Sequence, residues 1–394
     1  MRIIHTADWH IGRSFHGVPL LEEQRKFLAW LAELAAERAA DAVVVSGDIY
    51  DRALPGVEAV RVLEEGLDAI AGHARVVLIP GNHDSAQRLG FGSRWFDDRL
   101  RIQPTVAGAT SPIELPGAAG RPGLLVYAVP YLDPDLARPD VARLAGVVPA
   151  DLGRSHEAIL RPILQAARDD LARRRATGPR MGAICLAHAF VAGGSISESE
   201  RDIRIGGVDV VPAEVFAGFD YVALGHLHGP QAVGETAATM RYAGSPLAFS
   251  FSEKDHRKSV AIVDIAPDGV VRVDLVETPV PRPLSDIEGT LEEVLSPGHA
   301  AQRDHWVRIT VRGKTRPDNL LGTLRRVFPH VVEHRFVPLE AVGAGPVGVA
   351  RDIADPLAVA DLFVEQVTGA AATPPEQAVL RHAYERALRD GRGV

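Results

Sequence analysis

The chain has 394 residues, 46% of them hydrophobic and 24% charged, proportions of a soluble globular protein with room for one large domain and one or two smaller ones. Its net charge of −8, from 43 basic and 51 acidic residues, excludes binding to nucleic acid by overall electrostatics; such a substrate would need local basic patches, bound metals or a partner. The single cysteine, Cys185, excludes an intrachain disulfide and suits a reducing compartment, and no apolar run is long enough to span a bilayer.

Arg2 to Thr6 reads as a strand that runs into Asp8 rather than as a signal peptide, so the cytoplasm is the expected location. Leu20 to Arg38 carries a helical stripe of Phe27, Leu28, Leu31, Leu34 and Ala35. Ala42 to Val45 is a β-branched strand ending at Gly47-Asp48, and Val57 to Ile70 is a second helix. Arg75 to Ile79 is a third strand, ending at Gly81-Asn82-His83-Asp84. This β-α-β-α-β order implies parallel strands with right-handed crossovers. Asp8, Asp48 and Asn82 then lie just past the carboxyl ends of three strands, where open α/β sheets place their ligands.

The next stretch predicts a strand over Leu124 to Val129, a helix over Ile159 to Arg175 and a strand over Gly182 to Ala187 that ends at His188. A Gly/Ser-rich charged loop from Val191 to Gly207 precedes a strand over Tyr221 to Leu224 that ends at His226 and His228. Further strands follow at Met240 to Ala243, Ser259 to Ile265 and Val270 to Glu277. Pro279, Pro281 and Pro283 mark a boundary. Beyond it, a strand at Trp306 to Val311, a helix at Leu320 to Phe328 and a strand at Val331 to Val337 make a small α/β unit. Gly343-Ala344-Gly345-Pro346 reads as a linker to two helical segments, the first striped with Val359, Leu362, Phe363 and Val367. The second, Ala378 to Leu388, ends in Arg386 and Arg389. The expected domains are 1–279, 280–340 and 341–394.

Carboxylates, an amide and imidazoles at successive strand ends form the mixed oxygen/nitrogen set suited to a pair of divalent first-row metals. In an extended segment residues two apart point the same way, so Asp8 with His10 and His226 with His228 can each present two side chains to one site. Asp48, after a glycine that permits a tight turn, can bridge two ions with its two oxygens, and Asn82 adds a carbonyl without charge. Singly each motif also fits a turn or a cap; jointly they point to a metal site.

The order Asp8-x-His10, Gly47-Asp48, Gly81-Asn82-His83-Asp84, His188, Gly225-His226-x-His228 resembles the calcineurin-like metallophosphoesterases, most closely the SbcD-type double-strand-break repair nucleases. His5-Thr6-Ala7-Asp8-Trp9-His10-Ile11-Gly12, Val191 to Gly194, Ser199-Glu200-Arg201, Gly244 to Leu247 and Ser252 to Val260 carry the same likeness, which is strong over residues 1–280. The resemblance implies a four-layer α/β/β/α sandwich with a small α/β cap and C-terminal helices. It implies one metal held by Asp8, His10 and His228, another by Asn82, His188 and His226, with Asp48 bridging and Mn²⁺ as the expected ion. His83 would face the substrate phosphate instead of binding metal. Asp84 would either orient His83 or cap a helix. Archaeal relatives place a histidine where this chain has Asp51, and bacterial ones an aspartate. His5 and His16 read as structural.

The activity so implied is DNA cleavage, as a 3′-to-5′ exonuclease on double strands and an endonuclease on single strands or hairpins. A phosphoesterase for small diesters and a non-catalytic DNA tether are the competing readings; a full ligand set argues against the tether, and the segment beyond residue 280 against the small-diester enzyme. Residues 301–340 hold eight Lys/Arg against four Asp/Glu, so Arg308, Arg312, Lys314 and Arg316 either contact DNA phosphates or form a solvated strand face. The C-terminal helices either pack on the catalytic domain or dock on a partner, and the resemblance implies an SbcC-type coiled-coil ABC ATPase. It also implies a homodimer, through helices such as Val57 to Ile70, within a heterotetramer.

Overall fold

Val43, Val44 and Val45 point alternately into two apolar layers, Val43 and Val45 toward helices and Val44 toward a second sheet. That alternation, repeated along the neighbouring strands, builds the fold. The computed structural model describes residues 1–117, 122–200, 210–234, 240–279, 282–339, 357, 360, 364 and 372–390. They fall into two compact units, Met1–Val337 and Pro338–Val394.

The first unit contains two six-stranded sheets. One runs, in spatial order, Val271–Glu277, Ser259–Ile265, Arg2–Thr6, Ala42–Ser46, Arg75–Ile79 and Leu100–Ile102. Its last four strands are parallel and its first two antiparallel. The other runs Gln231–Ala232, Met240–Tyr242, Tyr221–Gly225, Gly182–His188, Leu124–Val129 and Ile113–Leu115, with parallel pairing through its four central strands. Ile3, Val44, Val77 and Ile79 of one sheet pack against Val126, Ile184, Leu186 and Tyr221 of the other. Helices Leu21–Glu37 and Val57–Ala71 cover the outer face of the first sheet with Phe27, Leu28, Leu31, Val62, Leu63 and Ile70. Helices Pro134–Ala145 and His156–Thr177 cover the second, over Leu125, Tyr127, Ala183 and the buried free thiol of Cys185. This is the expected four-layer α/β/β/α sandwich, and strands covered on both faces explain the unbroken apolar runs.

A three-stranded sheet of Leu284–Thr290, Trp306–Gly313 and Val331–Pro338 has its own core of Ile287, Val307, Ile309, Leu324 and Phe328. Phe15, Phe249, Phe251 and Trp306 form a separate cluster that joins this sheet to the sandwich. Several elements escaped the sequence pattern, and two of them show why. Pro134–Ala145 contains Pro139, which argues against a helix, but Asp133 caps it by accepting from the Asp135 and Leu136 amides. Leu284–Thr290 buries only Ile287 completely, so its alternation is too weak to read. In the second unit the described helix is Pro374–Asp390. The linker Gly343 to Pro346 and the stripe of Val359, Leu362, Phe363 and Val367 lie outside the described residues. No helix among the described residues is long and apolar enough to cross a membrane.

Candidate metal centre

Asp8, Asp48 and Asn82 follow the carboxyl ends of three adjacent strands of the first sheet; His188, His226 and His228 stand at or beyond the ends of two adjacent strands of the second. The sheet edges are stitched together here. The His226 amide donates to Asp8 Oδ1 at 2.9 Å, and His188 Nδ1 lies 2.9 Å from the Ser46 carbonyl oxygen. Extended i, i+2 geometry is not what aims Asp8 and His10, because both are left-handed, with φ of 54° and 45°. Asp48 at 51° and His226 at 105° share the strain. The Asp8 and His10 amides donate to the carbonyls of Gly47 and Asp48 at 3.0 and 2.9 Å, and these bonds hold the coiled backbone. Gly47 needs its φ of +91°, and a Cβ there would meet His188 Nδ1 at 2.4 Å. A Cβ on Gly81 would meet Asp48 Oδ1 at 2.2 Å.

All seven residues expected as ligands converge. His10 Nε2 and His228 Nε2 are 3.1 Å apart, and with an Asp8 oxygen they form a group whose atoms lie within 4.8 Å of one another. Asn82 Oδ1 is 2.8 Å from His188 Nε2 and 3.2 Å from His226 Nδ1. Asp48 Oδ2 reaches both halves, 3.5 Å from His10 Nε2 and 3.6 Å from His188 Nε2. Burial pushes the carboxyl of Asp8 well up, and the Asp48 charge adds to the shift. Burial also pushes His10, His188 and His226 down, which keeps their imidazoles neutral and their lone pairs available. Asp8 Oδ2 is buried with no hydrogen-bond partner. Neutral imidazole nitrogens, crowded carboxylates and an amide oxygen together fit divalent cations.

His83 sits against this group, its ring 4.6 Å from that of His10 and its amide donating to Asp48 Oδ1 at 2.9 Å. The orienting partner expected for it is displaced. Nδ1 lies 2.7 Å from the Asp51 main-chain oxygen, while the Asp84 carboxylate accepts from the amides of Gly81, Ile49 and Tyr50 at 2.8, 3.0 and 2.9 Å. Asp84 thus ties the third strand's loop to the second's. Burial and the Asp48 charge raise its carboxyl to about 7 against those amide bonds. Gln24, unmarked by any motif, is buried beneath the first loop and donates to the carbonyls of Trp9 and His10 at 3.2 and 2.7 Å. Its sequence signal is only a polar residue on the apolar stripe of a helix. His5 is buried between Tyr221 and Ser46, and His16 lies 3.7 Å from Glu333.

The four basic residues of the third sheet divide. Arg308 pairs with Asp286 at 2.6 Å and stacks over Phe251 at 4.6 Å, and Arg312 pairs with Glu288. Lys314 and Arg316 are exposed beyond the strand. A cavity of about 340 Å³ brings Arg308 together with Arg13, His16, Ser199, Phe249 and Arg335.

Comparison with known proteins adds two family matches. The calcineurin-like phosphoesterase profile matches residues 1–230, more than half of the chain. An SbcD-type profile, described as the type 5 capsule protein repressor C-terminal domain, matches residues 280–368. Among solved structures, TT1561 of Thermus thermophilus is 14% identical over 70% of this chain and 98% of its own, with a TM-score of 0.38. A family 1 β-glucosidase from Thermotoga maritima is 10% identical over 80% and 75%, with a TM-score of 0.18. At those scores neither structure bears on the fold. The first match spans every strand end that contributes to the centre, and on it the chain belongs to the calcineurin-like phosphoesterase family.

Proposed function

We propose that the chain is the nuclease subunit of an SbcCD-type DNA repair complex, a phosphodiesterase that uses two divalent cations, Mn²⁺ by preference. The carrying observation is the union, in one chain, of a calcineurin-like phosphoesterase domain and a C-terminal segment matching the SbcD-type profile. In this reading residues 1–279 are catalytic, 280–340 cap the site, and 341–394 link to and bind the SbcC-type ATPase. Exposed Leu54, Val60, Phe91 and Trp95, which line one groove, suit a homodimer contact within a heterotetramer.

Asp8, His10 and His228 would hold one ion and Asn82, His188 and His226 the other, with Asp48 reaching both. When bound, the ions supply Lewis acidity toward the phosphoryl oxygens and a nucleophile at neutral pH. His83 supplies the proton chemistry. The Asp51 carbonyl holds a proton on Nδ1, so Nε2, buried without a partner, is the nitrogen that gains and gives up the second proton; in the imidazolium form it can protonate the leaving alkoxide or stabilise the phosphate. Arg308, Arg312, Lys314 and Arg316 are the proposed DNA contacts; Lys314 and Arg316 are the freer of the four, since acidic neighbours partly neutralise the other two.

The test offers the purified chain hairpin and linear DNA alongside bis-p-nitrophenyl phosphate, with Mn²⁺ or chelator. DNA cleavage that is abolished by chelator supports the reading. Hydrolysis of the small ester with DNA left intact, even after an SbcC-type ATPase is added, overturns it in favour of a small-diester phosphoesterase.

A further inference from the structure

His228 is gripped at three points by residues outside the ligand set. Its amide donates to Glu200 Oε1 at 2.8 Å, its carbonyl accepts from Lys258 Nζ at 2.8 Å, and its ring Nδ1 lies 2.6 Å from Ser199 Oγ. Ser199 Oγ is in turn 2.5 Å from Glu253 Oε1. The other oxygen of Glu253 is paired with Lys258 Nζ, which also donates to Ser245 Oγ at 2.9 Å. Glu253, Lys258 and Ser245 are all buried.

Counting protons gives this chain of contacts a direction. A carboxylate only accepts, and a hydroxyl has one proton to give. Ser199 therefore donates to Glu253. Its alternative acceptor, the neutral Ser197 Oγ, is farther away at 3.1 Å, and Ser197 has its own acceptor in Glu200 Oε2 at 2.8 Å. With its proton committed, Ser199 Oγ must accept from the His228 ring. Nδ1 then carries the hydrogen and Nε2 the lone pair, and Nε2 is the atom 3.1 Å from His10 Nε2.

We propose that Ser199 and Glu253 are positioning residues that act through His228, setting its tautomer and ring orientation for a divalent cation. Through them the Ser195–Glu200 segment is coupled to the metal centre. The segment is also anchored by the Ser195 amide to Gln231 at 2.7 Å, the Glu198 amide to Ser252 at 3.1 Å and Arg13, which donates to the Ser199 carbonyl at 3.0 Å. Replacing Glu253 by glutamine reverses the relay. Lys258 demands the amide oxygen, so the amide NH₂ faces Ser199; Ser199 then donates to Nδ1, and the hydrogen moves to Nε2, where the ion should bind.

The proposal rests on the metal-centre reading, and calorimetric titration of Mn²⁺ into the chelator-treated full chain separates the two. Failure of the unaltered chain to bind Mn²⁺ sinks that reading itself. Given tight binding, Ser199→Ala is expected to weaken it by about 10–100-fold, the usual cost of losing a hydrogen-bond partner of a ligating histidine. Ser199→Thr, which keeps the hydroxyl, should restore most of the affinity, and Glu253→Gln should weaken it at least as much as Ser199→Ala. With Co²⁺ as the probe, the visible spectrum should change in Ser199→Ala and return in Ser199→Thr. Unchanged Mn²⁺ affinity and Co²⁺ spectrum in a folded Ser199→Ala overturn the proposal. If Glu253→Gln does not fold, the serine pair decides alone.

Discussion

A carbonyl oxygen can only accept, so the 2.7 Å contact between the Asp51 main-chain oxygen and His83 Nδ1 assigns the proton within that ring without help from a carboxylate. His83→Ala should lower the rate of diester hydrolysis by on the order of 10²–10⁴ while Mn²⁺ affinity is kept; rate and calorimetry together check this, and a parallel loss of metal would refute the assignment. Gly81→Ala should fail differently. Its Cβ would stand 2.2 Å from the Asp48 Oδ1 side-chain oxygen and 2.3 Å from the Asp48 backbone nitrogen, which cannot swing away, so metal affinity and activity should fall together. The residues carrying chemistry were legible because each motif ends an apolar strand. Gln24 was not, since its role is to satisfy carbonyls of a loop that only the folded chain places above it.

Between strands the decisive contacts belong to short loops. Burial alone would push the Glu253 carboxyl up, but the neighbouring His228 ring and the Lys258 charge outweigh it and hold the group well below its usual value of 4.5. The folded value lies under the unfolded one, so this contribution to stability is full above about 4.5 and drains away as the pH falls below it. Glu253→Gln leaves Lys258 hydrogen-bonded to the amide oxygen but removes the countercharge of its buried ammonium, at a cost of about 3–5 kcal/mol near neutral pH. Denaturant titrations with chelator present should show the gap between the two proteins closing as the pH is lowered from 7 toward 3. A gap independent of pH would refute the ion pair. At this scale strands were legible where an unbroken apolar run is buried on both faces, as in Ala42–Ser46, and illegible where a single side chain is fully buried, as in Leu284–Thr290.

For the whole molecule, cations bound only by the folded chain should raise its stability by about 2.7 kcal/mol at a free concentration of 100 Kd. Thermal melts with Mn²⁺ and with chelator measure this, and Asp48→Ala should abolish the difference. If the exposed group of Val60, Phe91 and Trp95 joins two copies, Val60→Glu with Trp95→Ser should shift sedimentation toward monomer, raising the dimer Kd by roughly 30-fold or more. Sequence by itself determined the β-α-β-α-β succession, the parallel pairing of its three strands and the identities of the side chains delivered to their carboxyl ends, because strand periodicity and turn chemistry are local. Only the tertiary structure decided that two stacked sheets bring the carboxyl ends of their strands to one site, that Asp51 and not Asp84 holds His83, and that Ser199 and Glu253 stand behind His228. These depend on contacts such as that between Asp8 and His226, 218 residues apart, which no local pattern encodes.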